Sequence, residues 1–157
     1  MFRIQDYQLS QAQESIKAQY RAAGRVVELV PFTYNVNQQP LNVAQTAAVP
    51  NTTDAEGEFW VMATCQTAIN AGTGAYVQYP NITVQIFWDV SGRQAQDKPT
   101  HLLNQFGSGK RPHLWTNPQR IPIKSTWTTT LTNQDAAVNF NVFLAYHGCK
   151  AAPTGGR

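Results

Sequence analysis

The residues of this chain best placed to do chemistry lie in one short run, QFGSGKRPHLW at positions 105–115. Gly107-Ser108-Gly109-Lys110 has the outline of a phosphate-cradling loop, whose backbone N–H groups wrap a phosphate while a lysine approaches it. That loop needs a further glycine five residues ahead of the Gly-Lys pair, and Ser or Thr directly after the lysine. Here those positions hold Asn104 and Arg111, and Pro112 blocks an immediate helix. The requirements fail, so the expectation is a turn, with Lys110 and Arg111 as a solvated or interface charge pair.

Other candidate chemistry is thinner still. His101, His113 and His147 are scattered, with no Cys or carboxylate at metal-ligand spacing from them. His147 is expected to close a strand and the other two to lie in loops. Asp89 and Asp97 flank a Ser-Gly-Arg turn and are read as turn residues rather than an acid–base pair. Ser108 has no Gly-x-Ser-x-Gly elbow around it. Trp115 and Trp127 are expected to be exposed and able to meet a partner or a sugar, whereas Trp88 sits on an apolar stripe and belongs in the core. The expectation is a chain with no catalytic residue, no cofactor and no metal.

The elements that position these residues divide the chain unevenly. Charged residues are only 13% of the 157, and the net charge is +3. The twelve Lys and Arg are spread out, so no basic run points to nucleic acid. No apolar run suits a membrane or a leader sequence, which implies synthesis in a cytoplasm with Cys65 and Cys149 expected as buried free thiols, a disulfide between them being the alternative. Asn51-Thr-Thr and Asn81-Ile-Thr match a glycosylation pattern by chance.

Residues 1–25 are expected to form an arm. Ser10 and Gln13 read as a capping box for a helix over 11–23, with Gly24 as its left-handed terminator. Ile16 and Tyr20 make a thin apolar stripe, so the helix should lie on the domain as a strut or reach a partner. From 26 to 150 the pattern is β. Strands are expected at 26–34 (edge or bent, because of Pro31), 41–49, 58–67, 75–78, 81–88, 125–132 and 138–147. In 58–67 the reading puts Phe59, Val61, Ala63 and Cys65 on one face. Turns are expected at Pro50-Asn51 and Asn117-Pro118, among others. Residues 151–157 read as a flexible tail. The fold class is all-β, an antiparallel sandwich with a short N-terminal helix, and its strand edges favour a dimer or trimer.

Several of these residues together resemble a known pattern. They are Asp89 with Ser91-Gly92-Arg93, Phe106-Gly107 with Gly109 and Pro112, Ile121-Pro122, the STWTTTLTN strand at 125–133, and Gly148-Cys149-Lys150. Over 32–150 the chain resembles small virion proteins of tailed bacteriophages. The polar N-terminal segment and Trp88 beside Asp89 depart from that pattern. The resemblance implies a jelly-roll sandwich located in the virion, with no catalytic residues. Such a protein decorates or cements the capsid, or sits at the neck, so the major capsid protein or neck proteins become the partners. Contact candidates are Arg3, Tyr7, Tyr20, Arg21, Arg25, Lys110, Arg111 and Trp115. A neck, collar or fibre-attachment role and a carbohydrate-binding module are the alternatives.

Overall fold

The computed structural model describes residues 4–89 and 91–154. In chain order the elements are α1 (Ile4–Ala22), β1 (Val27–Leu41), β2 (Thr46–Thr52), β3 (Glu58–Asn70), β4 (Ile82–Trp88), β5 (Arg93–Gln94), β6 (Thr100–His101), α2 (Leu102–Phe106), β7 (His113–Ile121), β8 (Thr126–Asn133) and β9 (Phe140–Pro153). The antiparallel pairs are nested. β1 pairs β9, β2 pairs β8, β3 pairs β7, and β4 pairs the short β5 and β6. Cross-pairing of β3 with β9 and of β4 with β8 then rolls this long hairpin into two sheets, ordered β1-β9-β3-β7 and β2-β8-β4-β5. Rolled nested hairpins of this kind are the jelly roll.

The core follows from two-residue alternation. Ile82, Val84, Ile86 and Trp88 of β4 face Phe140, Val142, Leu144 and Tyr146 of β9 across the sandwich, all buried. Trp127, expected at the surface, is fully buried instead. In β8 it shares the inward face with buried Thr129 and Leu131, and its ring centroid lies 5.4 Å from Tyr34 and 5.3 Å from Tyr146. Burial holds the Tyr146 hydroxyl well above the ordinary tyrosine range.

Five prolines lie within strands. Pro31 and Pro40 are in β1, Pro50 in β2 and Pro118 in β7, each of which ends a sheet, while Pro153 is the last residue of the inner strand β9. An edge strand tolerates the missing N–H. The turns expected at Pro50-Asn51 and Asn117-Pro118 are therefore strand residues. The strand expected at 41–49 is also replaced. β1 runs on to Leu41, a turn at 42–45 is closed by Gln45 N–H to Asn42 O at 3.0 Å, and β2 starts at Thr46. The 75–78 segment forms only a single bridge, Ile69 with Tyr76.

A bulge at Met62 decides the faces of β3. The register of β3 on β9 steps from Val61↔Gly148 to Ala63↔His147. Before the step, Phe59 and Val61 enter the core; after it, Thr64, Gln66 and Ala68 take the inward side, while Ala63 is buried on the outer one. The shared face expected for Phe59, Val61, Ala63 and Cys65 is thus split. One extra residue exchanges the two sides of a strand. Gly148 is required at this step, because a Cβ there would stand 1.9 Å from the Trp60 carbonyl oxygen.

α1 starts earlier than its sequence signals suggested. Ser10 lies inside the helix rather than at its cap. Gly24, at φ 72°, closes it as expected: Arg25 N–H reaches Tyr20 O at 2.9 Å and Gly24 N–H reaches Arg21 O at 2.9 Å, the Schellman pattern. Ile16 and Tyr20 pack on Trp60, Met62, Val27, Cys149 and Ala151, a second small core outside the first sheet. Cys65 and Cys149 are both free thiols; burial in this layer pushes the Cys149 thiol up to about 11. Past the boundary expected at 150, β9 continues to Pro153 opposite Val27, with Ala151 buried.

Candidate functional site

The contact residues proposed from sequence fall into separate surfaces. Those of α1 come first. Tyr20 is 6% exposed and works inside the molecule. Its hydroxyl donates to Glu58 and accepts from Trp60 Nε1 at 3.0 Å. Burial, reinforced by Glu58, pushes that hydroxyl up to about 12. Glu58 also receives Arg120 through Nε at 3.1 Å and through a second guanidinium nitrogen. Burial pushes the Glu58 carboxyl up, but the hydrogen bonds from Arg120 and Tyr20 outweigh it and leave it below the usual range. The Arg25 guanidinium lies 5.3 Å from the Tyr20 ring centroid. This cluster fastens the end of α1 to β3 and β7, so Tyr20 is a latch rather than a partner contact. Tyr7 and Arg21 remain on the solvent side, Tyr7 being 61% exposed. Arg3 lies outside the described residues.

Lys110 and Arg111 belong to a second surface. Gly107 bridges Pro112, Ser108 N–H donates to Arg111 O at 2.8 Å, and Arg111 N–H returns to Ser108 O at 3.1 Å. The GSGK run is therefore the tip of a tight hairpin, and these two backbone donors are consumed by the turn. A phosphate cradle needs such donors free. Gly107, at φ 62°, has no room for a side chain: a Cβ would meet Arg111 O at 2.3 Å. Ahead of the turn, α2 was not expected. His101 Nδ1 accepts from Leu103 N–H at 3.3 Å to cap it, and Leu102 and Phe106 anchor it in the core.

This turn forms one wall of a groove of about 930 Å³. Tyr76, Gln78 and Tyr79 form another wall, with Leu103 among the lining residues. The tyrosine rings are 55% and 72% exposed. Among the described residues no carboxylate lines the groove, and neither Lys110 nor Arg111 has an ion-pair partner. Tyr76 and Tyr79 were missed in the sequence because they stand in a loop with no alternation to single them out.

Trp115 sits on a third surface, at a concavity of about 510 Å³ that also exposes Arg93, Gln94 and Gln119. Half-buried, it donates from Nε1 to Thr64 Oγ1 at 3.3 Å and packs edge-on to Trp88 at 5.9 Å. Neighbouring His113 is held below its usual range by burial. Among the described residues no three His, Cys, Asp or Glu gather to hold a metal, and no helix is long and apolar enough to cross a membrane.

No family model and no curated protein matches the chain. Among solved structures, the infectious bursal disease virus VP2 subviral particle is 10% identical at a TM-score of 0.33, covering 78% of this chain and 38% of that one. The Gx strain of the same virus is 11% identical at a TM-score of 0.31, covering 82% and 33%. An exo-beta-1,3-galactanase from Phanerochaete chrysosporium with galactose is 14% identical at a TM-score of 0.26, covering 77% and 30%. The chain thus spans about a third of the length of these structures, and likenesses of this extent carry no functional assignment.

Proposed function

We propose that this chain is a non-enzymatic structural protein of a tailed-bacteriophage virion, which binds the capsid surface as a decoration protein and stabilises the head. The observation that carries this reading is the groove walled by Tyr76, Tyr79, Lys110 and Arg111. Exposed aromatic rings beside unpaired cations, with no nucleophile and base around them, suit adhesion better than catalysis. The sequence resemblance over 32–150 supports the phage assignment, and jelly rolls commonly build capsids. The major capsid protein is then the partner, the solvent side of α1 (Tyr7, Arg21) offers a second contact, and a dimer or trimer covers the proline-blunted edges. A neck, collar or fibre-attachment position is the alternative within the virion.

A carbohydrate-binding role is the second reading, favoured by the same two tyrosine rings, since lectins also use this fold. Co-sedimentation of the full chain with purified empty capsids separates the readings. Saturation at a fixed copy number supports decoration, and a copy number matching one vertex supports the neck. A chain that stays in solution but changes tyrosine fluorescence on adding a host glycan supports the carbohydrate reading.

A further inference from the structure

The groove beside the 107–111 turn has one charged wall and one neutral wall. Lys110 and Arg111 stand side by side on the turn, both exposed. Tyr76, Gln78 and Tyr79 form the neutral wall. Among the described residues no carboxylate lines the groove, and neither cation has an ion-pair partner. Two adjacent like charges repel each other, and an anionic occupant relieves that repulsion.

Both walls are built before any partner arrives. Arg111 N–H, which helps close the turn, also reaches Ser108 Oγ at 3.2 Å. On the neutral wall, Asn70 N–H donates to Ala75 O at 2.9 Å and Val77 N–H to Ala68 O at 2.9 Å, which fastens the loop back onto β3. Ile69 bridges Tyr76, and Val77 packs against the main core. Gln78 Nε2 donates to the Tyr79 hydroxyl at 3.3 Å. The two rings are nevertheless 55% and 72% exposed. Large rings presented on a fastened loop lose little freedom on binding.

The walls together select the occupant. A lone anion is poorly served, because the turn consumes its own backbone donors. A nucleic-acid strand needs cations that track its phosphates, whereas here only one wall is charged. An extended peptide with carboxylates uses both walls. The Arg111 guanidinium can donate two parallel hydrogen bonds to a carboxylate, and Lys110 offers a point charge beside it. Aromatic-lined grooves take the apolar side chains of extended segments, prolines above all.

We propose that this groove takes an extended acidic peptide segment of its partner, with Lys110 and Arg111 pairing its carboxylates and Tyr76 and Tyr79 receiving the prolyl or aliphatic side chains between them. The inference rests on the proposed function and names the chemistry that the capsid protein presents at this surface.

Fluorescence anisotropy of a dye-labelled peptide of Glu-Pro repeats, titrated with the full chain, tests the site. Saturation at one peptide per chain is expected, with affinity falling as salt rises. A Lys-Pro peptide of the same length should not bind. Lys110→Gln with Arg111→Gln should weaken binding about tenfold or more, and Tyr76→Ala with Tyr79→Ala about tenfold. Thermal midpoints should hold, because all four side chains are exposed and backbone groups close the turn. No saturable binding of the Glu-Pro peptide, equal binding of the Lys-Pro peptide, wild-type affinity in the double Gln variant, or tighter binding of a labelled oligothymidine would each overturn the site. Capsid co-sedimentation keeps the two readings apart. A chain that holds capsids but ignores the Glu-Pro peptide refutes the acidic segment alone. A chain that binds the peptide but ignores capsids refutes the capsid reading and leaves the acidic-segment site standing.

Discussion

Ile16→Ala separates a helix packed as part of the domain from one that merely extends from it. Ile16 is fully buried against the layer formed by Trp60, Met62 and Cys149. Losing three carbons removes about 2.4 kcal/mol of transfer free energy at ~0.8 kcal/mol each. The void left behind adds to this, within the range of about 2–5 kcal/mol for such truncations. Alanine's better helix propensity returns a few tenths of a kcal/mol. A net loss of about 3 kcal/mol follows. Urea unfolding read by tryptophan fluorescence suits the question, because Trp60 lies under α1 and Trp127 in the main core. With a slope of about 2 kcal/mol/M, the midpoint should fall by about 1.5 M at unchanged slope. Tyr7→Ala, on the exposed side, should stay within about 0.5 kcal/mol of the wild type. A loss below about 0.5 kcal/mol for Ile16→Ala would refute the docking of α1. The same burial makes deletion of residues 1–24 a poor test of partner binding, since it would uncover Trp60 and Met62.

Gly148→Ala should abolish soluble folded protein, because the new Cβ would stand 1.9 Å from the Trp60 oxygen; a normal melting temperature would mean that the bulge register is wrong. Lys150, 6% exposed, bonds Asp54, and that hydrogen bond holds the Asp54 carboxyl below its usual range. A depressed carboxylate stabilises the fold above its unfolded value of about 3.9 and loses that contribution as pH falls through the folded value. The stability difference between wild type and Lys150→Met should therefore be flat from about pH 7 to 5 and change below about pH 4; parallel curves over the whole range would rule the pairing out. Joint reversal of Lys110→Glu and Arg111→Glu should leave the thermal midpoint in place and weaken capsid co-sedimentation tenfold or more. Undiminished binding would remove the groove from the interface.

Regular alternation made much of the sandwich legible. β4, β8 and β9 read correctly because Ile82 to Trp88, Thr126 to Asn133 and Phe140 to Tyr146 keep the two-residue period without a break. β3 was legible in extent but not in facing, since nothing local in EFWVMATCQT marks a bulge; the signal lies on the partner strand, at Gly148. Pro50 and Pro118 looked like turns because a single sequence does not show which strands are edges. The GSGK turn was read correctly from its missing glycine and hydroxyl. Trp127 was misplaced because an aromatic among threonines looks exposed until a neighbouring sheet covers it, whereas the Ile16 and Tyr20 stripe does lie on the domain and only the partner contact expected of Tyr20 is lost, to Glu58 and Trp60. Tyr76 and Tyr79 come to the groove only through tertiary placement.

In the proposed function this jelly roll binds the outside of a capsid through the end that carries the 107–111 turn. Electron cryomicroscopy of tailed-phage capsids, with and without added protein, reads that contact itself. Added density is expected on the exterior, one jelly roll per chain, with Tyr76, Tyr79, Lys110 and Arg111 facing the shell. Unchanged capsids at saturating protein, or density attached by the opposite end, would contradict it.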